Sequence, residues 1–91
     1  MISSAQLRAG RALLRWSASD LSRESGVGTA TIQRMEVMEG IPKGNVKTLI
    51  SLKEALEAAG VVFVGTPDHN PGVYVISRQS GGEKKGDDDG K

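Results

Sequence analysis

The sequence predicts a mainly α fold: four short helices packed as one compact domain, then a short β-hairpin, then a disordered C-terminal tail. Three observations carry this prediction. Up to Gly60, apolar residues recur at helical spacing between turns that contain glycine. Residues 61–78 hold two short runs of β-branched and aromatic residues. Residues 79–91 contain no apolar side chain and cannot bury enough surface to fold. The length of 91 residues fits one domain, whose core is only modestly stabilising.

The helix starts follow from capping chemistry. With Ser3 as N-cap, Gln6 falls at the third helical position and completes a capping box, while Ile2 and Leu7 take the flanking apolar positions. This predicts a helix over 4–15. Ser17 and Asp20 repeat the box for a helix over 18–25, flanked by Trp16 and Leu21. A third helix over 29–37 starts from Gly28, which has no side-chain oxygen to cap it, with Val27 and Ile32 as the apolar pair. The fourth, over 46–59, begins after Asn45 and keeps Val46, Leu49, Leu52, Leu56 and Ala59 at helical spacing up to a stop at Gly60. None of these helices is long enough to be stable alone in water, so they must pack together. The predicted core is Leu7, Leu14, Trp16, Leu21, Val27, Ile32, Met35, Leu49, Leu52 and Leu56.

Val61–Val64 and Val73–Ile76 read as strands, joined by the turn-rich residues 65–72 in a loop longer than the commonest hairpin connections. An isolated two-stranded hairpin is marginal in water, and these strands are apolar on both faces. The hairpin is therefore expected to pack one face on the fourth helix and to pair with a second copy or with another protein.

The chain has no cysteine, so disulfides and thiolate metal sites are excluded and a reducing compartment is expected. No apolar run approaches the ~20 residues needed to span a bilayer. The first residues lack the basic and apolar regions of a secretory signal. A soluble cytoplasmic protein is expected, with no membrane partner. Residues 1–60 hold eight Lys/Arg against six Asp/Glu, and residues 61–91 hold four against five, including Asp87-Asp88-Asp89. This small basic excess permits a nucleic-acid partner without establishing one.

No catalytic or cofactor chemistry is predicted. His69 is the only histidine, and with Asp68 beside it in a turn it makes neither a metal site nor a nucleophile–base pair. Gly26-Val27-Gly28 lacks the third glycine and preceding strand of a dinucleotide fingerprint. Trp16 reads as a packing residue, and aromatic residues are too few for a single-strand stacking platform.

The informative stretch is 18–37, where only Gly26, Val27 and Gly28 separate two short helices. A three- or four-residue glycine turn joining helices at a steep angle is the helix-turn-helix motif. Leu7-Arg8, Arg11, Leu14, Trp16-Ser17, Leu21-Ser22, Gly26-Val27-Gly28 and Ile32-Gln33-Arg34-Met35-Glu36 together resemble the Xre/Cro family of phage-repressor-like domains. The stretch Lys53–Gly60 extends the likeness to small bacterial regulators, so that it covers about residues 4–60.

That resemblance implies a repressor-like helix-turn-helix domain whose third helix, 29–37, lies in the major groove of double-stranded DNA. The implied base-facing positions are Thr29, Ala30, Thr31, Gln33 and Arg34. Arg34 suits a two-point contact to guanine and Gln33 to adenine, while Ala30 and the threonine methyls suit thymine methyls. Ser17 is placed to meet a phosphate with its amide and hydroxyl, and Lys43 and Asn45 are further backbone contacts. Arg11 and Glu36 occupy positions that the family joins by a structural ion pair. Three residues depart from the pattern: Ala18 in place of a Gln that contacts phosphate or a base, Ser25 where an apolar residue is usual, and Gly28 in place of a Ser or Thr cap.

Two functions are thus expected of different kinds. One is a sequence-specific transcriptional regulator, dimeric through its C-terminal hairpin and reading half-sites about 34 Å apart. The other is a protein-interaction module, such as an antitoxin-like partner, whose DNA binding is secondary or absent.

Overall fold

The computed structural model describes residues 1–76, so the tail expected over 79–91 and the last two residues of the expected hairpin segment lie outside the described residues. The elements run α1 (Ser4–Leu13), α2 (Ala18–Ser25), α3 (Thr29–Glu36), α4 (Val46–Ala58), β1 (Val61–Thr66) and β2 (His69–Val75). About half of the described chain is helical, and the two strands form one antiparallel sheet.

The caps explain where each helix starts. Ser3 Oγ accepts from the Gln6 amide at 3.0 Å, and Gln6 Oε1 accepts from the Ser3 amide at 2.9 Å. Ser17 and Asp20 make the same reciprocal pair ahead of α2, at 3.0 and 2.8 Å. Asn45 Oδ1 accepts from the Lys47 amide at 2.9 Å and opens α4. Among the described helices, only α3 starts without a side-chain cap, from Gly28.

The ends are less regular. Periodicity carries the first helix to residue 15, but α1 stops at Leu13. Leu14 is its C-cap, and Arg15 takes the left-handed region at φ 59°. The Arg15 amide then donates to Ala12 O at 2.9 Å and the Trp16 amide to Arg11 O at 3.0 Å, the paired bonds of a Schellman end. Glycine is the usual residue at that position because a Cβ crowds the following carbonyl. Arg15→Gly is expected to stabilise the domain by about 1 kcal/mol, raising the urea midpoint with no change in slope. A lowered midpoint would mean that the arginine stem contributes packing that outweighs the relieved strain.

The core joins all four helices: Leu7 from α1, Leu21 from α2, Ile32 and Met35 from α3, and Leu49, Leu52 and Leu56 from α4. Ile2, just before α1, and Val61, opening β1, complete it. Leu14, Trp16 and Val27, expected in this core, instead lie partly buried at its edge. Each sits at a helix junction, where the chain turns through solvent and one side of the residue stays wet. Val61 gains its place because β1 leaves α4 directly, so the first strand residue is carried under the helices.

The hairpin differs from expectation at its tip. Residues 65–72 do not form a long loop; the strands continue through them to a two-residue turn at Pro67-Asp68. Val61 pairs with Val75, Val62 with Tyr74, Phe63 with Val73 and Val64 with Gly72, and then Thr66 with His69 across a bulge. Gly65 and Asn70, both at positive φ, allow the register to shift there. The turn-forming residues were thus spread through a bulged hairpin rather than gathered in a loop. Phe63 and Val73 pack against the helical core. Gln6 fastens the sheet to α1, its Nε2 donating to Val64 O at 3.1 Å and Gly72 O at 3.0 Å.

Candidate nucleic-acid interface

α2 ends at Gly26, whose φ of 79° turns the chain sharply, and its amide donates back to Ser22 O at 2.9 Å. Only Val27 and the N-cap Gly28 then separate it from the start of α3 at Thr29. Ser25 supports this connection, since its Oγ accepts from the Val27 amide at 3.1 Å. A polar residue at the end of α2 therefore braces the turn.

α3 is divided into two faces. Ile32, Met35 and Glu36 point inward and are buried. Ala30, Gln33, Arg34 and Val37 form the exposed stripe at the i, i+3, i+4, i+7 spacing of one helical face. Thr29 and Thr31 flank it, half-buried. Among the described residues, the side chains of Gln33 and Arg34 make no hydrogen bond, and Arg34 is in no ion pair.

The orientation of α3 is set by α1. The last carbonyls of a helix have no partner within it and must be met from elsewhere. Ser4 Oγ donates to Met35 O at 2.7 Å, and the Arg8 guanidinium donates to Glu36 O. Arg11 holds the Glu36 carboxylate at two points, Nε to Oε2 and Nη2 to Oε1, both 2.7 Å. Its third nitrogen donates to Trp16 O at 2.9 Å. The Glu36 side chain is 5% exposed and Arg11 25%. The hydrogen bond to Glu36 raises the Arg11 guanidinium above its already high value, against the opposing effect of burial. Ser4 and Arg8 went unassigned in the sequence. The signal was present, because Ser4, Arg8 and Arg11 lie at i, i+4 and i+7 and make one polar stripe on α1.

Ser17, Lys43 and Asn45 are all exposed, but they are differently committed. The Ser17 amide, expected to meet a phosphate, is taken by the Asp20 carboxylate at 2.8 Å, and its hydroxyl oxygen accepts from the Asp20 amide at 3.0 Å, so both groups are engaged in the cap. The cap residue could not serve both partners with one amide. Arg23 in turn lies 2.9 Å from Asp20 and offsets the carboxylate charge. Asn45 uses its carbonyl oxygen as the α4 cap and keeps its NH2 free of other bonds among the described residues. Lys43 stands in the segment joining α3 to α4.

Asp20 supplies a pH test of this geometry. The Ser17 amide foremost, then Arg23 and the Ser17 hydroxyl, hold its carboxyl below its ordinary value. A lowered folded value means stability that is present above the unfolded pKa and lost as pH falls through the folded one. The native chain should therefore exceed Asp20→Asn in stability at neutral pH, with the gap closing below about pH 4. Urea midpoints of the two proteins from neutral to acid pH measure this. A gap that stays constant would show that the carboxylate charge is irrelevant to the cap.

Among the described residues, no helix is long and apolar enough to cross a membrane. Compared with models of known families, with curated proteins and with solved structures, the chain matches none of them.

Proposed function

We propose that this chain is a sequence-specific DNA-binding regulator of transcription, of the helix-turn-helix type, with α3 as the helix that reads the major groove. One observation carries the reading: the outward stripe of α3 is free while its inward and C-terminal groups are held. Gln33 and Arg34 have no partner among the described residues, and Ser4, Arg8 and Arg11 anchor the end of the same helix. A helix fixed on one side and presenting an amide and a guanidinium on the other suits two-point contacts with base edges. The short α2–α3 connection, Gly26, Val27 and Gly28, has the length and the glycine that a helix-turn-helix requires. Lys43 and Asn45 supply cationic and uncharged donors for phosphates, and Thr29, Ala30 and Thr31 line the start of α3.

Selection from random duplexes, followed by binding measurements on the winner, tests this. Arg34→Ala should cost about 1–3 kcal/mol and relax preference at one base position. Folding should be unchanged, because that side chain is exposed. If no duplex is enriched, the chain is better read as a protein-interaction module. If enrichment occurs and Arg34→Ala leaves the preference unaltered, the role given to Arg34 is wrong.

A further inference from the structure

We infer that the outer edge of β2 is a pairing edge for β2 of a second copy of this chain, giving a two-fold dimer with a continuous four-stranded sheet. Such a dimer follows from the hairpin and the α1 face beside it, independently of DNA, and it would bring two copies of α3 into one particle.

The register decides which backbone groups are free. The Ile76 amide donates to Gly60 O at 2.8 Å, which makes Val61 and Val75 a non-hydrogen-bonded pair. The alternation then places Val62 with Tyr74 and Val64 with Gly72 as the bonded pairs. The amides and carbonyls of Val73 and Val75 therefore point away from β1, and among the described residues none of them has a partner. Pro71 falls on the same outward series, where its missing N–H costs the hairpin nothing.

The two edges are not equivalent. β1 emerges from α4 with Val61 buried at 2%, so its edge starts under the helices. β2 ends in the open, with Tyr74 at 52% and Val75 at 38% exposed and Ile76 exposed beside them. Beside β2, an open groove is lined by Ala5 and Ala9 of α1 and by Pro71, Gly72 and Val73. Small residues at i and i+4 leave room for a strand to approach, and exposed Leu13 continues that stripe.

What fills the edge is constrained by its chemistry. Exposed edges are ordinarily protected by charge, and Gly72–Ile76 carry none. Residues 77–91 are polar or charged without an apolar side chain, so they do not suit this apolar border. A second β2 does. With Tyr74 opposite its own copy, Val73 of each chain meets Val75 of the other, and each of these two pairs exchanges both backbone bonds. Such an interface is self-complementary, as two-fold symmetry requires.

The test uses the full chain without DNA, so its failure leaves the DNA reading standing. Sedimentation across the micromolar range should show a reversible dimer. Val75→Pro removes one outward amide and no hairpin bond, and Tyr74→Lys sets like charges face to face. Each should weaken the dimer by about tenfold or more with the helical content unchanged. In the native protein the Val73 and Val75 amides should become protected from exchange only at concentrations where the dimer forms. A chain that stays monomeric overturns the inference. So does a dimer that both variants leave intact, or one in which those amides exchange freely.

Discussion

Replacing Arg11 with Met should lower the stability of the domain by about 3 kcal/mol. The substitution keeps much of the arginine stem but leaves the Glu36 carboxylate, 5% exposed, without its two-point partner. An unpaired charge in such a site loses the attraction that offset its desolvation, which is why single removal costs more than the intact pair contributes. The figure is placed at the low end of the range for buried pairs because Arg11 is itself a quarter exposed. A domain of this size has only about 5–10 kcal/mol in hand, so the variant should be partly unfolded on mild warming. Arg11→Met with Glu36→Leu should recover most of the loss, since two apolar side chains then meet where two charges did. Urea unfolding of the native chain, both single variants and the double variant closes the cycle. Strictly additive losses would show that the two side chains act independently. The loss should also reach α3, because the pair joins its last turn to α1. DNA affinity of the folded fraction should fall with the stability if the ion pair orients that helix.

Much of this arrangement was legible in the sequence, for reasons that are local. Ser3, Ser17 and Gly28 stand as N-caps where the sequence puts them, since helix starts depend on residues within one turn, and the fourth start, expected near Asn45, has Asn45 itself as its cap. The inward face of α3 follows from the apolar spacing of Ile32 and Met35. The ends were harder. Nothing in the residue type marks Arg15 as left-handed, and only the paired bonds to Ala12 and Arg11 reveal it. Gln6 was legible as half of a capping box, but its second duty, bonding Val64 and Gly72, joins residues more than fifty positions apart. Arg8 was similarly hidden, because its acceptor is a backbone carbonyl and leaves no mark on the side-chain pattern. The bulge was missed because Gly65, Pro67, Asn70 and Pro71 suit a loop as well as a bulged hairpin. For the candidate site, residue types indicated what α3 can present, whereas the competition for the Ser17 amide required the fold.

Gly65→Ala should cost about 3 kcal/mol and open the outer half of the hairpin. Gly65 lies at φ 72°, where a Cβ is unfavourable before any neighbour is considered. The neighbours make it worse, because a Cβ there would overlap the Asn70 carbonyl group and approach His69 O to 2.9 Å. These are backbone atoms of the opposing strand, so no rotamer change can make room. The strands must separate at the bulge, and strain of that kind spreads along the ladder toward Val64 and Gly72, where Gln6 holds the sheet to α1. Amide exchange should then show protection lost first at Val64 and Gly72, while Leu21 and Leu52 in the helical core keep theirs. Gly65→Asn separates the two causes, since asparagine tolerates the left-handed region yet still carries a Cβ. If the clash dominates, it should be nearly as damaging as alanine; if it is close to native, conformation alone sets the cost. The same variants bear on association. Val73 and Val75 can present their amides to a second copy only while β2 is held in register by β1, so opening the bulge should weaken the dimer even though Gly65 lies outside the pairing edge. A dimer of native strength in Gly65→Ala, with the hairpin shown to be open, would place the contact elsewhere on the molecule.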